Sequence, residues 1–180
     1  MEWSWDVEMD FTEKIIDRKD VFKGDFLRVE HLKVELPDGN IGDRDVVRHP
    51  GAVALLAFVD EETIVLVEQF RVAVNKTMLE IPAGKLENGE EPLEAAKREL
   101  EEETGFKAGR LEHLGYILTG AGFTDEKIHI YKASELYKGV KGGDDDEFIE
   151  VKTYKLDEVK TLIKEGQIVD AKTISAFMYL

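Results

Sequence analysis

A loop and a short acidic helix are predicted by residues 84–106, GKLENGEEPLEAAKRELEEETGF. Pro92 suits the first position of an α-helix, where its missing N–H is not needed, and Gly105 suits the position after the last turn. The spacing therefore predicts a helix over residues 92–104. At about 100° per residue, one mostly apolar face is expected to pack against the rest of the protein. That face consists of Leu93, Ala96, Lys97, Leu100 and Thr104.

An arc of three glutamates adjoins this face and is hard to explain as structure alone. Glu99 lies one turn from both Glu102 and Glu103, and each like-charge pair costs about 0.2–0.5 kcal/mol. A solvated run of charge is one explanation in a chain with 39 acidic residues, and Arg98 or Lys97 would neutralise part of it. A bound divalent cation is the other, because hard ions such as Mg²⁺ require clustered carboxylates.

The residues around this arc have a distinctive spacing: Gly, five residues, Glu, seven residues, Arg-Glu-apolar, one residue, Glu-Glu, one residue, Gly-apolar. The pattern consists of Gly84, Glu90, Arg98, Glu99, Leu100, Glu102, Glu103, Gly105 and Phe106. It resembles in full the box of the Nudix hydrolases. With seven fixed residues at about 5–7 % background each, a chance match has a probability of ~10⁻⁹ per start point, which an excess of Glu does not explain.

The resemblance implies a fold, a metal cofactor and a reaction. The fold is α/β: a Nudix-type α/β/α sandwich with a mixed sheet, preceded here by a small N-terminal antiparallel β element. The box forms a loop, helix and loop that binds Mg²⁺ or Mn²⁺ and cleaves a nucleoside diphosphate linked to another moiety. The match implies that the Ala83 carbonyl, Glu99 and Glu103 bind the metal, while Glu102 binds another ion or orders a water.

Two further predictions concern residues of the box that are not expected to bind the metal through their side chains. Gly84 is free to adopt a φ above zero, which would let a backbone carbonyl face the metal. Arg98 and Glu90 are expected to form an internal ion pair that holds the loop on the helix.

Residues 1–47 predict a small antiparallel sheet, and residues 48–180 a catalytic domain. Alternating residues at 13–18 and 26–36 indicate strands, and PDGN at 37–40 is a strong turn signal. Because so few strands cannot form an independent hydrophobic core, we expect this segment to pack on the catalytic domain or on another subunit. In the ADP-ribose pyrophosphatases, the Nudix branch that this region resembles, such an element joins two subunits. We therefore expect a homodimer, with Trp3 and Trp5 as candidate interface anchors.

Candidate substrate contacts come from phrases that resemble the same branch. VEQFR ends at Arg71, and RDVV begins at Arg44. Because a guanidinium grips oxygens with two parallel N–H groups, both arginines are candidates for binding phosphate. Phe26, or Phe22, is a candidate for stacking on the adenine of the partner's site.

The general base is expected outside the metal-binding carboxylates, because a bound cation lowers their proton affinity. Residues 120–126 form a loop whose glycines predict mobility, and Glu126 ends it where a strand begins. Loop glutamates of this kind serve as bases in the resembling family. Glu126 is therefore the predicted catalytic base, with Asp125 and Glu102 as rivals, and Glu103 is kept among the catalytic residues.

The rest of the chain predicts a core of strands flanked by helices. Strands are indicated at 52–59, 63–70, 111–119, 127–133 and 147–156, and the first is apolar throughout, so it should be buried on both faces. A helix is predicted over 156–165, and another is capped by Asp170. The apolar face of the last helix consists of Ala171, Ile174, Phe177 and Met178.

Similarity to the ADP-ribose pyrophosphatases also covers HPGAVALL, EIPAGK, GFTDEKIHIY, EFIEVK and DAKTI. It implies hydrolysis of ADP-ribose to AMP and ribose 5-phosphate. A pyrophosphatase for another sugar nucleotide, of the GDP-mannose type, is the first alternative, and a non-catalytic nucleotide sensor is the second. One departure bears on the substrate: many members have Pro where this chain has Ala121.

Composition excludes several other classes of partner. A net charge of −15 and a pI near 4.7 argue against nucleic acid and anionic membranes, since both attract basic surfaces. The chain has no Cys, so any metal must have oxygen or His ligands, and the four histidines lack metal-binding spacing. The longest apolar run, residues 51–59, is too short to span a bilayer, and the N-terminus does not resemble a signal peptide. These features predict a cytoplasmic protein.

Overall fold

A computed structural model of the chain describes residues 10–140, 142 and 148–180. Trp3 and Trp5 lie outside the described residues. The chain divides into two compact units. The first contains the N-terminal residues up to His49 together with Gly120–Asp125, and the second contains the remainder.

The first unit is built on a three-stranded antiparallel sheet in the order β1-β2-β3. Its strands are β1 (Lys14–Lys23), β2 (Arg28–Glu35) and β3 (Ile41–Arg48). The turn between β2 and β3 is the predicted one. Gly39 has a φ of 82°, which a residue with a side chain rarely adopts, and its N–H donates to the Leu36 carbonyl at 2.9 Å. The predicted antiparallel element is confirmed.

The first unit buries little apolar surface of its own. Only Leu32 and Val34, both in β2, are buried hydrophobic residues among its described residues. Every residue of β1 is exposed. The exposed large apolar side chains of this unit are Phe11, Ile15, Ile16, Val21, Phe22, Phe26, Ile41 and Phe123.

Residues 120–125 form part of the first unit because they bond to β3. The Val47 N–H donates to the Phe123 carbonyl at 2.7 Å, and the Asp125 N–H donates to the Val47 carbonyl at 3.3 Å. These bonds make a parallel bridge between Val47 and Thr124. A mobile loop was expected here from its glycines, but its backbone is paired, and neither Gly120 nor Gly122 has a positive φ.

The second unit has a seven-stranded mixed sheet in the order β10-β5-β4-β9-β8, with β6 on β5 and β7 on β4. Strands β4 and β9 are parallel, and the other pairs are antiparallel. The strands are β4 (Ala52–Phe58), β5 (Thr63–Arg71), β6 (Lys76–Glu80), β7 (Ala83–Lys85), β8 (Phe106–Leu118), β9 (Lys127–Lys138) and β10 (Glu150–Lys155). The short strands β6 and β7 were not predicted, and β8 and β9 extend beyond their predicted bounds because their pairing continues through polar residues.

Helices cover both faces of this sheet. They are α1 (Pro92–Thr104), α2 (Leu156–Lys164) and α3 (Ala171–Ala176). Strand β4 is buried throughout: Val53 and Leu55 join the apolar cluster that contains α1, while Ala54 and Leu56 join the cluster that contains residues of α2 and α3. The alternation follows from the two-residue period of a strand. The predicted α/β/α sandwich and the doubly buried strand are confirmed.

Helix α1 has the predicted bounds, and Gly105 ends it with a φ of 73° and an N–H bond to the Glu101 carbonyl at 2.8 Å. Its predicted buried face was partly wrong. Leu93 and Lys97 are exposed, whereas the buried residues are Ala95, Ala96, Glu99, Leu100, Glu103 and Thr104. Two glutamates therefore face inward, and the solvated charge run does not describe them.

The end of the chain also differs from the prediction. Helix α3 is capped by Asp170, which accepts from the Thr173 N–H at 2.9 Å, as predicted. Its buried residues are Thr173 and Ala176, while Met178 is exposed. Ala171 and Ile174 of the predicted apolar face are also exposed, and the chain continues in a 3₁₀ turn at Phe177–Tyr179. Among the described residues, no helix has the length and apolarity needed to cross a membrane.

Candidate active site

Helix α1 and strand β7 bring together the residues that the box predicts as metal ligands. Glu103 is 4 % exposed, and its carboxylate accepts from the Ala83 N–H at 2.9 Å. Glu99 is 9 % exposed and packs against Gly84. A Cβ at Gly84 would lie 1.9 Å from the Glu99 Cδ, far inside contact distance.

This packing corrects the expectation for Gly84. Gly84 is not among the glycines with positive φ, so its left-handed freedom is not what the site uses. The position lacks a side chain because the Glu99 carboxyl group occupies the space that a Cβ would need. The sequence shows the glycine, but only the packing gives the reason for it.

Arg98 is the centre of the charge network on this helix. Its Nε and Nη2 donate to the two oxygens of Glu90, each at 2.9 Å, which confirms the predicted ion pair. Nη1 also donates to Glu99 at 2.7 Å and to Glu102 at 3.0 Å, and Nη2 donates to the Lys85 carbonyl at 3.1 Å. The hydrogen bonds to Glu90 raise the pKa of Arg98 above its ordinary value. They also lower the pKa of Glu90.

Arg98 therefore relieves part of the repulsion within the glutamate arc. It bonds two of the three carboxylates, and the Ala83 N–H bonds the third. In this arrangement no group of three or more His, Asp or Glu side chains among the described residues is gathered to hold a metal ion. The donor types are still those of a hard cation, since two nearly buried carboxylates lie beside a backbone segment, at Ala83 and Gly84, that closely approaches them. The metal ligands stay a prediction.

A second buried charge cluster surrounds Arg71. Its Nε and Nη2 donate to the Glu80 carboxylate at 3.0 and 2.7 Å, and Lys172 of α3 bonds the same carboxylate and lies 3.1 Å from Asp170. Glu80 is 1 % exposed. Burial raises the pKa of Glu80, but its bonds to Arg71 and Lys172 outweigh burial and hold the pKa below the usual range. The Arg71 pKa is raised, mainly by the bond to Glu80 and also by the charge of Glu103.

The sequence did not single out Glu80 and Lys172. The sequence signal near Glu80 is its place at the start of EIPAGK, the stretch that leads into the box. Lys172 carried no local signal, because it comes to Glu80 from a position 92 residues away.

Glu126, the predicted base, directly follows the loop of residues 120–125. It is hydrogen-bonded to Thr119, the residue that precedes the loop. The Thr119 hydroxyl lies 2.6 Å from the Glu126 carboxylate, and the Thr119 N–H donates to the Glu126 carbonyl at 3.4 Å. Its rival Asp125 accepts hydrogen bonds from Arg48 and from the His49 N–H. Burial raises the Asp125 pKa, but bonds from the His49 N–H and Arg48 outweigh burial and lower the pKa, which makes this carboxylate a poor base.

Arg44 and Phe26 belong to the first unit. Arg44 is paired with Glu13 and donates to the Asp43 carbonyl at 2.8 Å. Phe26 is half-exposed and meets the His49 ring edge-on at a centroid distance of 5.7 Å. Their contribution to substrate binding stays a prediction.

Comparison with known proteins identifies the class. Residues 47–177 match the NUDIX domain, and residues 13–47 match the nucleoside diphosphate sugar hydrolase N-terminal domain. The chain belongs to the Nudix hydrolase family. The second match coincides with the three-stranded sheet of the first unit.

Particular relatives extend along most of the chain. It is 46 % identical to a methanol dehydrogenase activator of Bacillus methanolicus, over 94 % of this chain and 93 % of that protein. It is 44 % identical to an ADP-ribose pyrophosphatase of Bacillus subtilis strain 168, over 93 % and 92 % of the two chains. A GDP-mannose pyrophosphatase of Citrobacter koseri is 34 % identical, over 76 % and 80 %. A crystal structure described as an ADP compounds hydrolase has the same fold, with a TM-score of 0.82 at 24 % identity, over 93 % and 91 %.

Proposed function

We propose that this Nudix hydrolase cleaves the diphosphate of ADP-ribose to AMP and ribose 5-phosphate, using Mg²⁺ or Mn²⁺. The observation that carries the proposal is the buried pair of Glu99 and Glu103 packed on Gly84 and Ala83 within a complete box. Acidic side chains are almost never buried without partners, so two buried glutamates in a box of this spacing mark a candidate functional site. The similarity to ADP-ribose pyrophosphatases over nearly the whole chain supports the choice of substrate.

Glu99, Glu103 and the Ala83 carbonyl would hold the metal, with Glu102 as a further ligand or a partner of a bound water. A bound divalent cation supplies charge neutralisation of the diphosphate and acidifies a coordinated water. Arg98 positions Glu99 and Glu102, since one of its nitrogens donates to both. Glu90 in turn fixes the guanidinium from its other side.

Arg71 is suited to bind a substrate phosphate. Glu80 bonds its Nε and Nη2, so the plane of the guanidinium is fixed while Nη1 takes no part in that pair. The side chain remains 39 % exposed, so its outer edge is accessible to an anion. An arginine held in this way loses less entropy when it binds phosphate oxygens.

Glu126 would act as general base. A water proton passes to its carboxylate as the water oxygen forms a bond to one phosphorus, and the bond from that phosphorus to the bridging oxygen breaks with its electron pair on the leaving phosphate. Thr119 steadies the carboxylate from the far side of the loop.

We also propose a homodimer in which the first unit, expected as a dimerisation element over residues 1–47, contacts a second copy. β1 is an edge strand with exposed apolar side chains, and edge strands of this kind pair or become covered. Among the described residues of this unit, only two hydrophobic side chains are buried, too few for an independent core. Phe26 and Arg44 would then be available for the partner's substrate.

A GDP-mannose type of sugar nucleotide is the second candidate substrate. Ala121 at the position where many ADP-ribose pyrophosphatases have Pro, together with a GDP-mannose pyrophosphatase relative, favours its inclusion. A non-catalytic sensor is disfavoured, because every carboxylate of the box is retained.

The deciding experiment is a substrate panel with Mg²⁺ or Mn²⁺, scored by product mass, with Glu103→Gln as the inactive control. We expect AMP and ribose 5-phosphate from ADP-ribose, at a kcat/KM at least tenfold above that for GDP-mannose. Preferential turnover of GDP-mannose would replace the proposed substrate. No turnover of any member would favour the sensor.

A further inference from the structure

We propose that Arg48 is a positioning residue that fixes the segment Gly120–Asp125 to the N-terminal sheet and thereby sets the position of Glu126. This inference rests on the proposed role of Glu126, but its structural part can be tested without any substrate.

The carboxylate of Asp125 is held at both oxygens. Its Oδ1 accepts from the His49 N–H at 2.9 Å, and its Oδ2 accepts from the Arg48 Nη1 at 3.1 Å. The backbone of the same residue donates to the Val47 carbonyl. Three consecutive residues at the end of β3 therefore fix Asp125.

Arg48 is itself fixed by Glu30, which is 0 % exposed. The Glu30 Oε2 accepts from the Arg48 Nε at 2.7 Å. The other oxygen, Oε1, lies 2.8 Å from Arg28 and 3.5 Å from Arg18, but neither contact has the alignment of a hydrogen bond. Arg48 is thus the principal donor to this buried carboxylate, and its bond is the leading cause of the lowered Glu30 pKa.

A guanidinium is the side chain that suits this bridge. Nε and Nη1 point to two different carboxylates, one buried and one on the loop, and each bond is charge-assisted. A single ammonium group lacks the two fixed directions. The two backbone bonds of Val47 alone would leave the loop attached as one short parallel bridge.

Glu126 follows Asp125 directly, so its Cα lies about 3.8 Å from that of Asp125 and moves with it. Glu126 is also bonded to Thr119 through its side chain and its carbonyl. A catalytic group displaced by about 1 Å can lose about 10² in rate. Loss of the Arg48 bridge should therefore lower kcat, while a direct contact of Arg48 with substrate would be seen in KM.

The first arm of the test measures kcat and KM for Arg48→Met, Asp125→Asn and the double variant, on the substrate that the wild type turns over. We expect kcat to fall about 10- to 100-fold with KM within threefold, and the double variant to be no slower than the slower single variant. Arg48→Lys should recover only part of the loss. The matched control is Arg18→Met, which removes a guanidinium near the same Glu30 but without a loop contact, and should keep kcat within twofold.

The second arm measures hydrogen exchange of the Val47 and Asp125 amides. Both should exchange at least tenfold faster in Arg48→Met, while amides of β4 keep their protection. The exchange measurement needs no substrate, so its result remains valid even if ADP-ribose is not the substrate. Should Arg48→Met fail to fold, Asp125→Asn decides, because it leaves the Glu30 pairs intact. Unchanged exchange and kcat, or a rise in KM alone, would overturn the proposal.

Discussion

The carboxyl group of Glu99 packs on the bare Cα of Gly84, so closely that a Cβ there would lie 2.0 Å from its Oε1. Glu99 belongs to α1 and Gly84 to β7, so this contact sets the distance between the helix and the strand of the box. The next turn of α1 places Glu103 on the Ala83 N–H. The orientation of both carboxylates therefore depends on the absence of one methyl group.

Gly84→Ala should displace Glu99 and reduce kcat by at least about 10²-fold. We expect a lower melting temperature as well, because the overlap cannot be relieved without moving α1 or β7. Shortening the glutamate in Gly84→Ala/Glu99→Asp should recover the melting temperature without recovering kcat. Full activity of Gly84→Ala would contradict the packing.

Glu103→Gln tests metal binding. Gln keeps an oxygen that accepts the Ala83 N–H, so the fold should persist, while the charge for the cation is lost. We expect the rise in melting temperature on addition of Mg²⁺ to shrink, and kcat to fall about 10²-fold or more. Glu101→Gln, on the same helix but bonded to Lys107 and the Val140 N–H, is the matched control. Equal Mg²⁺ responses in both variants would disprove the assignment.

Glu80→Gln tests the charge cluster through its pH dependence. The folded pKa of Glu80 lies below the value of about 4.3 expected unfolded. The unfolded state then binds more protons in acid, so the stability that this carboxylate contributes is present above about pH 4.3 and is lost as the pH falls through the folded pKa. Urea unfolding should show Glu80→Gln less stable than the wild type at pH 7, with the difference shrinking towards pH 3. A difference independent of pH would contradict it.

Glu126→Gln should lower kcat by about 10² to 10⁴ without changing Mg²⁺ binding, if this carboxylate takes the proton from water. Glu112→Gln, an exposed carboxylate that pairs with Arg110, serves as the control. A change in KM alone would mean that Glu126 binds substrate or holds the loop.

Ile16→Glu should disrupt the proposed dimer, because it places a charge on the exposed apolar side of β1. Sedimentation at micromolar concentration should give a dimer for the wild type and a monomer for the variant. Lys19→Glu, which changes the charge of β1 without touching its apolar residues, should remain dimeric. A wild-type monomer with full activity would exclude the assembly.

Features that depend on neighbouring residues can be predicted from the sequence alone. Pro92 and Gly105 fixed both ends of α1, because a missing N–H and a left-handed φ are local properties. The spacing of the box singled out Glu99, Glu102 and Glu103 as candidate metal ligands. It also predicted the Arg98–Glu90 pair and the Nudix family. The unbroken apolar run at 52–59 predicted a strand buried on both faces, which the structure has at Ala52–Phe58.

Contacts between side chains that are far apart in the chain depend on how the strands and helices pack. Tertiary packing turned Glu99 and Glu103 inward, whereas helical periodicity favoured Leu93 and Lys97. It brought Lys172 to Glu80, and the loop residue Asp125 to Arg48. The local sequence does not predict such pairs, because they form only when strands and helices that are distant in the chain pack together.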